Sequence, residues 1–375
     1  MRREKMTPVL HCIRNDNNAG HLKKRAKISL VFTMILLSAV QIFSQDNILP
    51  GTIAGSLQPS SIQNWVLVIH GGAGGGPQGS MPAEKEQQYR EKLSEALETG
   101  SVILAAGGSS LDAVEAAVAF MEDCPLFNAG KGAVYNRDGV AELDASIMDG
   151  QTLQAGAVAG VKTIRHPVSA ARLVMAKTPH VLLIGEGAEE FAKEQGLEIV
   201  DPSWFLTPER NKQFERIRMK PQENQEEKAP PEKQSPEDKD HGTVGAVALD
   251  RQGNLAAATS TGGLMFKMKG RVGDTPVIGA GTYASNATCA VSCTGTGEFF
   301  IRNSIAFQVS SLMECRGMGL EEAANLLITE VLRSQGGDGG LIAVDRNGNI
   351  AMPFNTNAMF RGYAKQDGAK EVMVY

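Results

Sequence analysis

Hydrophobic positions recur along this chain with two different periods, which mark predicted helices and predicted strands. An uninterrupted apolar run at Trp65–His70 predicts a fully buried strand. Apolar residues that recur every three to four positions predict helices, the second of which begins at a capping box from Ser109 to Asp112. The predicted helices lie at 82–104, 109–121, 168–176, 187–195, 303–316 and 321–333.

Strands dominate the C-terminal half, and two of its segments are alike in register. Gly245–Thr261 and Gly340–Thr356 each contain a strand, an Asp-Arg-x-Gly-Asn turn and a second strand. This pattern predicts two β-hairpins with Gly253 and Gly348 in their turns. Gly279–Thr294 is a third strand-turn-strand segment. Strands followed by helices and then by strands again predict layered sheets that are covered by helices.

Two segments are not predicted to join the packed core. Residues 1–44 combine Lys and Arg at 23–27 with an apolar run at Ile28–Val40, which is the layout of a secretory signal peptide. An uncleaved signal anchor is the alternative, although the apolar run is short for a membrane span. Residues 221–240 contain four prolines and no Val, Ile, Leu or aromatic residue. This composition predicts a disordered, cleavable tether that extends to residue 241.

Composition excludes several classes of function. A formal net charge of −5 argues against a nucleic-acid surface or a polybasic membrane surface. The glycine-rich loop after the first strand lacks both the P-loop lysine and the dinucleotide-binding spacing. The cysteines are too few for a disulfide scaffold and poorly spaced for zinc, so we interpret them as small buried residues. A single disulfide bond remains an alternative for these cysteines.

Thr243 begins a predicted core strand directly after the tether. If the chain is cut between Gly242 and Thr243, the threonine gains a free α-amine. This amine can accept the hydroxyl proton and activate the oxygen as a nucleophile. A β-branched residue that merely opens a strand is the structural alternative.

Three downstream features support the nucleophile interpretation. The hairpin turn places Thr261 opposite Thr243, where its hydroxyl can orient the nucleophile. Arg271 and Asp274 lie three residues apart in a glycine-bounded loop, which suits the carboxylate and ammonium groups of an α-amino acid. Cys293–Glu298 combines glycine-flanked amides with a hydroxyl, as an oxyanion hole requires. Separately, each feature has a plain alternative: a strand-end threonine, a surface ion pair and an ordinary turn.

Nine motifs follow one another in a fixed order along the chain. They are HGGAGG at 70–75, PLFNAGKGAVYNRDG at 125–139, ELDASIMDG at 142–150, AGAVAG at 155–160, GTVGAVALD at 242–250, ATSTGG at 258–263, GRVGD at 270–274, SCTGTGE at 292–298 and PFNT at 353–356. Through these motifs the chain resembles the plant-type L-asparaginase/isoaspartyl peptidase family of N-terminal nucleophile hydrolases. The resemblance extends from Trp65 to Phe360 and leaves out the signal region, the tether and the tail after Arg361.

This resemblance implies an architecture and an assembly. The implied fold class is α+β, a four-layer αββα sandwich in which two packed sheets lie between layers of helices. Family members cut themselves, which implies an α subunit at 45–242 and a β subunit at 243–375 that begins at the nucleophile. The resemblance also implies a dimer of αβ heterodimers and no cofactor for catalysis.

Site residues are implied by the same resemblance. Thr243 is the nucleophile with its freed amine as base, and Thr261 and Asn128 assist it. The remaining residues bind substrate or the oxyanion: Arg271 and Asp274 with Gly297 for the α-carboxylate and α-amine, and Thr294 and Gly295 for the oxyanion. Related enzymes hold a structural sodium ion through backbone carbonyls, which here belong to Met121, Glu122, Cys124, Phe127, Ala129 and Lys131.

The implied activity is hydrolysis of β-aspartyl dipeptides and of the side-chain amide of L-asparagine, both of which give L-aspartate. The alternative is a glycosylasparaginase, but that relative typically has an aspartate where Gly242 stands. A non-catalytic binding protein with the same fold is a third hypothesis, and the intact set of candidate site residues argues against it. The signal region predicts a periplasmic or secreted protein.

Overall fold

The computed structural model describes residues 64–219 and 242–375, and the strands of this part form two sheets. The predicted signal region and the predicted tether at 221–241 lie outside the described residues. The strands are β1 (Val66–Gly74), β2 (Leu143–Asp149), β3 (Ala155–Val161), β4 (Leu182–Ile184), β5 (Val244–Leu249), β6 (Leu255–Thr261), β7 (Thr282–Ala284), β8 (Cys289–Gly295), β9 (Gly339–Asp345), β10 (Ile350–Ala351), β11 (Ala358–Lys365) and β12 (Lys370–Met373).

Helices occupy both halves of the described chain. They are α1 (Ala83–Ala105), α2 (Ser110–Asp123), α3 (Pro167–Lys177), α4 (Gly185–Glu194), α5 (Pro208–Arg218), α6 (Gly297–Asn303), α7 (Ile305–Arg316) and α8 (Leu320–Asn325), which continues into a π-helix at Leu326–Leu332. Short 3₁₀ helices lie at Gly130–Gly132 and Pro202–Phe205. Across the described ranges no helix has the length and apolar character that crossing a membrane requires.

The two sheets pack face to face between two layers of helices. The larger sheet has the strand order β12-β11-β1-β5-β6-β2-β3-β4, and the smaller has the order β10-β9-β8-β7. Helices α1 to α4 cover the outer face of the larger sheet, and α7 and α8 cover that of the smaller. The predicted αββα sandwich is therefore confirmed.

Alternation along β5 shows how the layers are built. Val244, Ala246 and Ala248 face the helices, whereas Val247 and Leu249 face the smaller sheet. Because both faces of this central strand are covered, nearly every residue is apolar and small enough for close packing. The face toward the smaller sheet also carries Thr243 at the strand's start, so the candidate nucleophile lies at one end of the layer between the sheets.

Both predicted hairpins form with the same turn chemistry. Asp250 Oδ1 accepts hydrogen bonds from the backbone N–H groups of Gln252 at 3.0 Å and Asn254 at 2.8 Å. Asp345 makes the equivalent pair of hydrogen bonds in the second hairpin. Gly253 and Gly348 take φ values of 82° and 79°, a left-handed conformation that favours glycine. The two segments are thus similar in register because they contain the same turn.

Two parts of the fold differ from the sequence-based expectation. The tail after Arg361, which we expected to lie outside the conserved architecture, completes β11 and forms β12, and β11 pairs directly with β1. Helix α5 was not predicted, because only Arg210 and Phe214 of it are buried and a helical apolar period is therefore nearly absent. Cys124, Cys289 and Cys293 are free and buried, as expected. Cys315 is exposed, so the expectation of burial is wrong there.

Candidate active site

Thr243 lies where the hairpin of β5 and β6 reaches the edge of the inter-sheet layer. Val244 pairs with Ser260, so the next pair of positions brings Thr243 opposite Thr261. Thr243 Oγ1 donates a hydrogen bond to Thr261 Oγ1 at 3.2 Å, and both residues are buried. The predicted contact between the two hydroxyls is present.

Gly242 places its carbonyl group beside the same hydroxyl. Thr261 Oγ1 donates to the Gly242 carbonyl oxygen at 3.3 Å. A Cβ atom at Gly242 would lie 2.9 Å from Asn128 Cβ, which is closer than real side chains approach. The space beside Asn128 therefore favours glycine at position 242.

Asn128 holds the loop that follows Thr261. Its Nδ2 donates to the Gly263 carbonyl at 2.7 Å, and its Oδ1 accepts from the Val134 N–H at 2.9 Å. Its backbone carbonyl also accepts from the Gly262 N–H at 3.1 Å. With both ends of its amide bonded to protein, Asn128 acts by positioning the Thr261–Gly263 segment.

Thr294 comes from the smaller sheet, at the end of β8. Its Oγ1 accepts a hydrogen bond from the Ala73 N–H at 3.1 Å, so its own proton is available to donate. Gly295 follows with φ of 151°, and a Cβ there would lie 2.4 Å from the Asp338 carbonyl oxygen. The two predicted oxyanion residues therefore lie on the opposite side of the layer from Thr243.

Arg271 is held by a partner that sequence reasoning did not identify. Its Nε and Nη2 donate to the two carboxylate oxygens of Glu298 at 2.9 and 2.8 Å. The remaining nitrogen, Nη1, points toward Gly263 and Gly273, where added Cβ atoms would lie 3.4 and 2.9 Å from it. Glu298 thus fixes one edge of the planar guanidinium and leaves Nη1 toward the cavity.

Asp274 is a buried carboxylate without an assigned counterion. Burial raises its pKa to about 7, against a smaller lowering by the Arg271 cation. Its Oδ2 has no hydrogen-bond partner among the described residues. A Cβ at Gly297 would lie 2.7 Å from Asp274 Oδ1, so only glycine fits there. An unpaired buried carboxylate of this kind is suited to receive a cationic group of a ligand.

One small cavity brings most of the predicted residues together. Thr243, Thr261, Arg271, Asp274 and Gly295 all line it. A second small cavity on the other side of Gly242 is lined by the glycine-rich loop at 71–75, Asn128 and Arg210. Arg210 belongs to α5, so sequence reasoning missed its proximity to Gly242 together with the helix that carries it.

The predicted sodium loop connects α2 to the 3₁₀ helix at Gly130–Gly132. The backbone carbonyls of Met121, Cys124, Phe127 and Ala129 each accept one hydrogen bond within this loop. The Glu122 side chain is directed elsewhere, since Oε1 accepts from Ser260 Oγ at 2.6 Å and from the Val168 N–H at 3.1 Å. The Lys131 ammonium lies 4.7 Å from the ring centroid of Trp204.

Two sheets between helix layers, with a hydroxyl at the start of a central strand, define the architecture of an N-terminal nucleophile hydrolase. A family model described as Asparaginase matches residues 63–374, so the chain belongs to this asparaginase family. The match includes β11 and β12, so the tail after Arg361 is part of the family's domain. Our narrower bound for the resemblance is therefore wrong.

Curated relatives are similar over nearly their whole lengths. The isoaspartyl peptidase of Salmonella typhimurium is 54% identical over 301 residues, which are 80% of this chain and 95% of that protein. The isoaspartyl peptidase of Escherichia coli is 54% identical over 80% of this chain and 93% of its own. A probable isoaspartyl peptidase/L-asparaginase 2 of Arabidopsis thaliana is 42% identical over 83% of this chain and 99% of its own.

Proposed function

We propose that this protein is an isoaspartyl peptidase and L-asparaginase that cuts its own chain before Thr243. The observation that carries the proposal is the single cavity in which a candidate nucleophile meets a cation and an unpaired buried carboxylate. The names of the relatives support the same activity over that of a glycosylasparaginase. Gly242 at the cut supports it as well.

Recognition follows from the charges in the cavity. Arg271 Nη1 binds the α-carboxylate of the substrate, while Glu298 keeps the guanidinium plane in place. Asp274 binds the α-ammonium through the carboxylate oxygen that has no hydrogen-bond partner among the described residues. An aspartyl head group held at these two points directs its β-carbonyl toward Thr243. L-Asparagine and β-aspartyl dipeptides share that head group, so both are substrates.

Hydrolysis proceeds in two steps. The free α-amine of Thr243 accepts the hydroxyl proton, and Oγ1 attacks the β-carbonyl carbon of the substrate. Thr294 and Gly295 stabilise the oxyanion, and collapse of the intermediate forms a threonine ester and releases ammonia or an amino acid, which takes the proton. Water then attacks the ester with the amine again as base. L-Aspartate is released and the Thr243 hydroxyl is restored.

Maturation uses the same hydroxyl before the amine exists. Thr243 Oγ1 attacks the Gly242 carbonyl carbon, and the peptide C–N bond breaks as an ester forms between Gly242 and Thr243. The hydroxyl proton passes to the departing Thr243 nitrogen, which becomes the free amine. The hydrogen bond from Thr261 Oγ1 to the Gly242 carbonyl polarises this carbonyl for attack. Hydrolysis of the ester leaves a carboxylate on Gly242 and a free amine on Thr243.

Intact mass of the purified protein tests the cut. We expect two fragments, one of which begins at Thr243, whereas Thr243→Ala remains a single chain. Rates on L-asparagine, β-aspartyl-leucine and an N-glycosyl asparagine then assign the activity. A wild-type fragment that begins elsewhere contradicts the mechanism. A preference for the glycosylated substrate favours the alternative enzyme.

Three further proposals accompany this function. The loop at 121–131 binds sodium, because a carbonyl oxygen that accepts one hydrogen bond retains a second lone pair for a hard cation. The mature protein is a dimer of αβ heterodimers, as the family resemblance implies. The protein is exported, as the charge and apolar order of residues 1–44 implies.

A further inference from the structure

A row of polar side chains crosses the layer between the sheets just below the candidate nucleophile. On the larger sheet, His70, Gly245, Thr259 and Ser146 are neighbours in register on β1, β5, β6 and β2. On the smaller sheet, Thr282 and Ser292 are paired on β7 and β8. We name the five polar members the polar seam: His70, Ser146, Thr259, Thr282 and Ser292.

The polar seam is a continuous chain of hydrogen bonds from β2 to β1. Ser146 Oγ lies 2.8 Å from Thr282 Oγ1, which donates to Thr259 Oγ1 at 2.5 Å. Thr259 Oγ1 lies 2.7 Å from Ser292 Oγ, which lies 2.8 Å from His70 Nε2. None of the five residues is exposed to solvent. The chain crosses from one sheet to the other four times, so it fixes their relative position at this level.

Proton counting assigns the tautomer of His70. Each hydroxyl has one proton to donate, and Thr282 gives its proton to Thr259. Of the two acceptors near Thr259 Oγ1, Ser292 Oγ at 2.7 Å is closer than the Gly281 carbonyl oxygen at 3.5 Å, so we assign the Thr259 proton to Ser292. Ser292 then donates to His70 Nε2, which leaves the imidazole proton on Nδ1. Burial lowers the pKa of His70 to about 3, and a backbone interaction with Thr243 raises it by a smaller amount. The imidazole is therefore neutral, and its Nδ1 makes no hydrogen bond to another described residue.

The polar seam lies two residues along the strands from the candidate catalytic residues Thr243, Thr261 and Thr294. Thr259 precedes Thr261 by two residues and Ser292 precedes Thr294 by two residues, and positions two apart lie on the same face of a strand. Gly245 stands in the same relation to Thr243. A Cβ at Gly245 would lie 2.0 Å from Ser292 Oγ and 2.4 Å from His70 Nε2. The glycine therefore lets the serine and the imidazole meet directly over β5.

We propose that the polar seam positions Thr243 for catalysis, with His70 and Ser292 as the positioning residues that hold β5 against the smaller sheet two residues below Thr243. By setting the distance between the sheets, the polar seam also sets the separation of Thr261 from Thr294. The proposal rests on the proposed function, because Thr243 must be the nucleophile. A seam that served only stability would change the melting temperature and leave turnover by folded enzyme intact.

Removal of single hydroxyl groups tests the proposal. Ser292→Ala and Thr259→Val each break the chain with little change in volume, and Thr259→Ser restores the hydroxyl. A matched control is available at Thr288 and Ser310, a buried hydroxyl pair 2.6 Å apart that lies away from the site. Thr288→Val and Ser310→Ala remove an equivalent hydrogen bond there.

Four quantities are measured for each variant: the rate of self-cleavage, kcat per N-terminal Thr243, the inhibition constant of L-aspartate and the melting temperature. Ser292→Ala and Thr259→Val should lower kcat and the self-cleavage rate at least tenfold, as small misplacements of reacting groups do. L-Aspartate binding should change less than twofold, because Arg271 and Asp274 are untouched. Thr259→Ser should recover kcat to within threefold of the wild type.

The possible results distinguish a failure of the positioning role from a failure of the proposed function. A kcat within twofold of the wild type in both seam variants overturns the positioning role. An equal loss of kcat in the control variants at Thr288 and Ser310 overturns it too, since the effect would then be one of general stability. A wild-type protein that neither cuts before Thr243 nor hydrolyses aspartyl substrates refutes the proposed function itself.

Discussion

Replacement of Asp274 by asparagine is expected to stabilise the folded protein above pH 7 and to abolish recognition of the substrate ammonium. Both effects have one cause. Burial raises the pKa of Asp274 to about 7, and its Oδ2 has no hydrogen-bond partner among the described residues. The folded protein must therefore hold an unpaired negative charge above pH 7, and the neutral amide of Asp274→Asn removes it.

The sign and size of the effect follow from proton linkage. An unfolded chain loses the Asp274 proton near the ordinary pKa of 3.8, whereas the folded protein keeps it until about pH 7. Between these values the folded state binds more protons, so its free energy of unfolding falls as pH rises. The loss in the free energy of unfolding is at most about 4 kcal/mol, because the two pKa values differ by about three units and each unit is worth about 1.4 kcal/mol. Asp274→Asn should not show this loss.

Thermal unfolding measured from below pH 4 up to pH 8 gives the difference. Below pH 4 both proteins carry a neutral side chain at position 274, so their melting temperatures should agree, which provides an internal control. Above pH 7 the variant should melt higher, by an amount on the order of 10 °C if the full effect is realised. L-Aspartate should raise the melting temperature of the wild type and leave Asp274→Asn unchanged.

Two results would refute this reasoning. Parallel stability curves for the wild type and Asp274→Asn across the whole pH range would mean that the folded-state pKa of Asp274 is close to its ordinary value. A less stable variant at pH 8 would mean that a counterion, such as the Arg271 guanidinium, stabilises the ionised carboxylate in the unliganded protein. Either result removes the physical basis for assigning the ammonium site to Asp274.

Three other predictions, two about variants and one about export, can be tested. Arg271→Ala should cut itself normally but lose at least about 100-fold in kcat/KM on β-aspartyl-leucine, because the substrate carboxylate loses its cationic partner. An unchanged kcat/KM would mean that the α-carboxylate binds elsewhere. Gly245→Ala should lower the melting temperature sharply because its Cβ would overlap Ser292 Oγ, whereas Gly187→Ala, with no atom within 4 Å of the added Cβ, should not. Cell fractionation with N-terminal sequencing should find an exported α fragment that starts near residue 45, and a cytosolic fragment that retains Lys23–Lys27 would contradict export.

Local contacts of the site could be predicted from sequence because the chain itself sets them. The register of β5 on β6 is determined by the Asp250 turn, so counting from the turn is enough to bring Thr261 to Thr243. The αββα layering could be predicted from the resemblance, and the hairpins could be predicted from their turn residues. Each of these inferences needs only neighbouring residues or a long ordered set of motifs.

Contacts between distant segments could not be predicted in this way. The pairing of Arg271 with Glu298 depends on the path of the loop between β6 and β7, which has no periodic pattern. Likewise, α5 buries too little apolar surface to show a helical period, so the approach of Arg210 to Gly242 was missed. Strand β12 is an edge strand with a half-exposed pattern, and it gives an equally weak signal.

The order of strands explains how a cut at Thr243 can create a new chain end without releasing a subunit. In the larger sheet, β11 and β12 follow the cut, β1 precedes it, β5 and β6 follow it, and β2 to β4 precede it. Separation of the two pieces would break three strand ladders, namely β11 with β1, β1 with β5, and β6 with β2. The site is divided in the same way, since Asn128 and Ala73 precede the cut and bond to residues that follow it. If the chain is cut before Thr243, the described residues on the two sides of the cut would therefore remain halves of one interleaved core, and the candidate nucleophile would remain at the start of its strand.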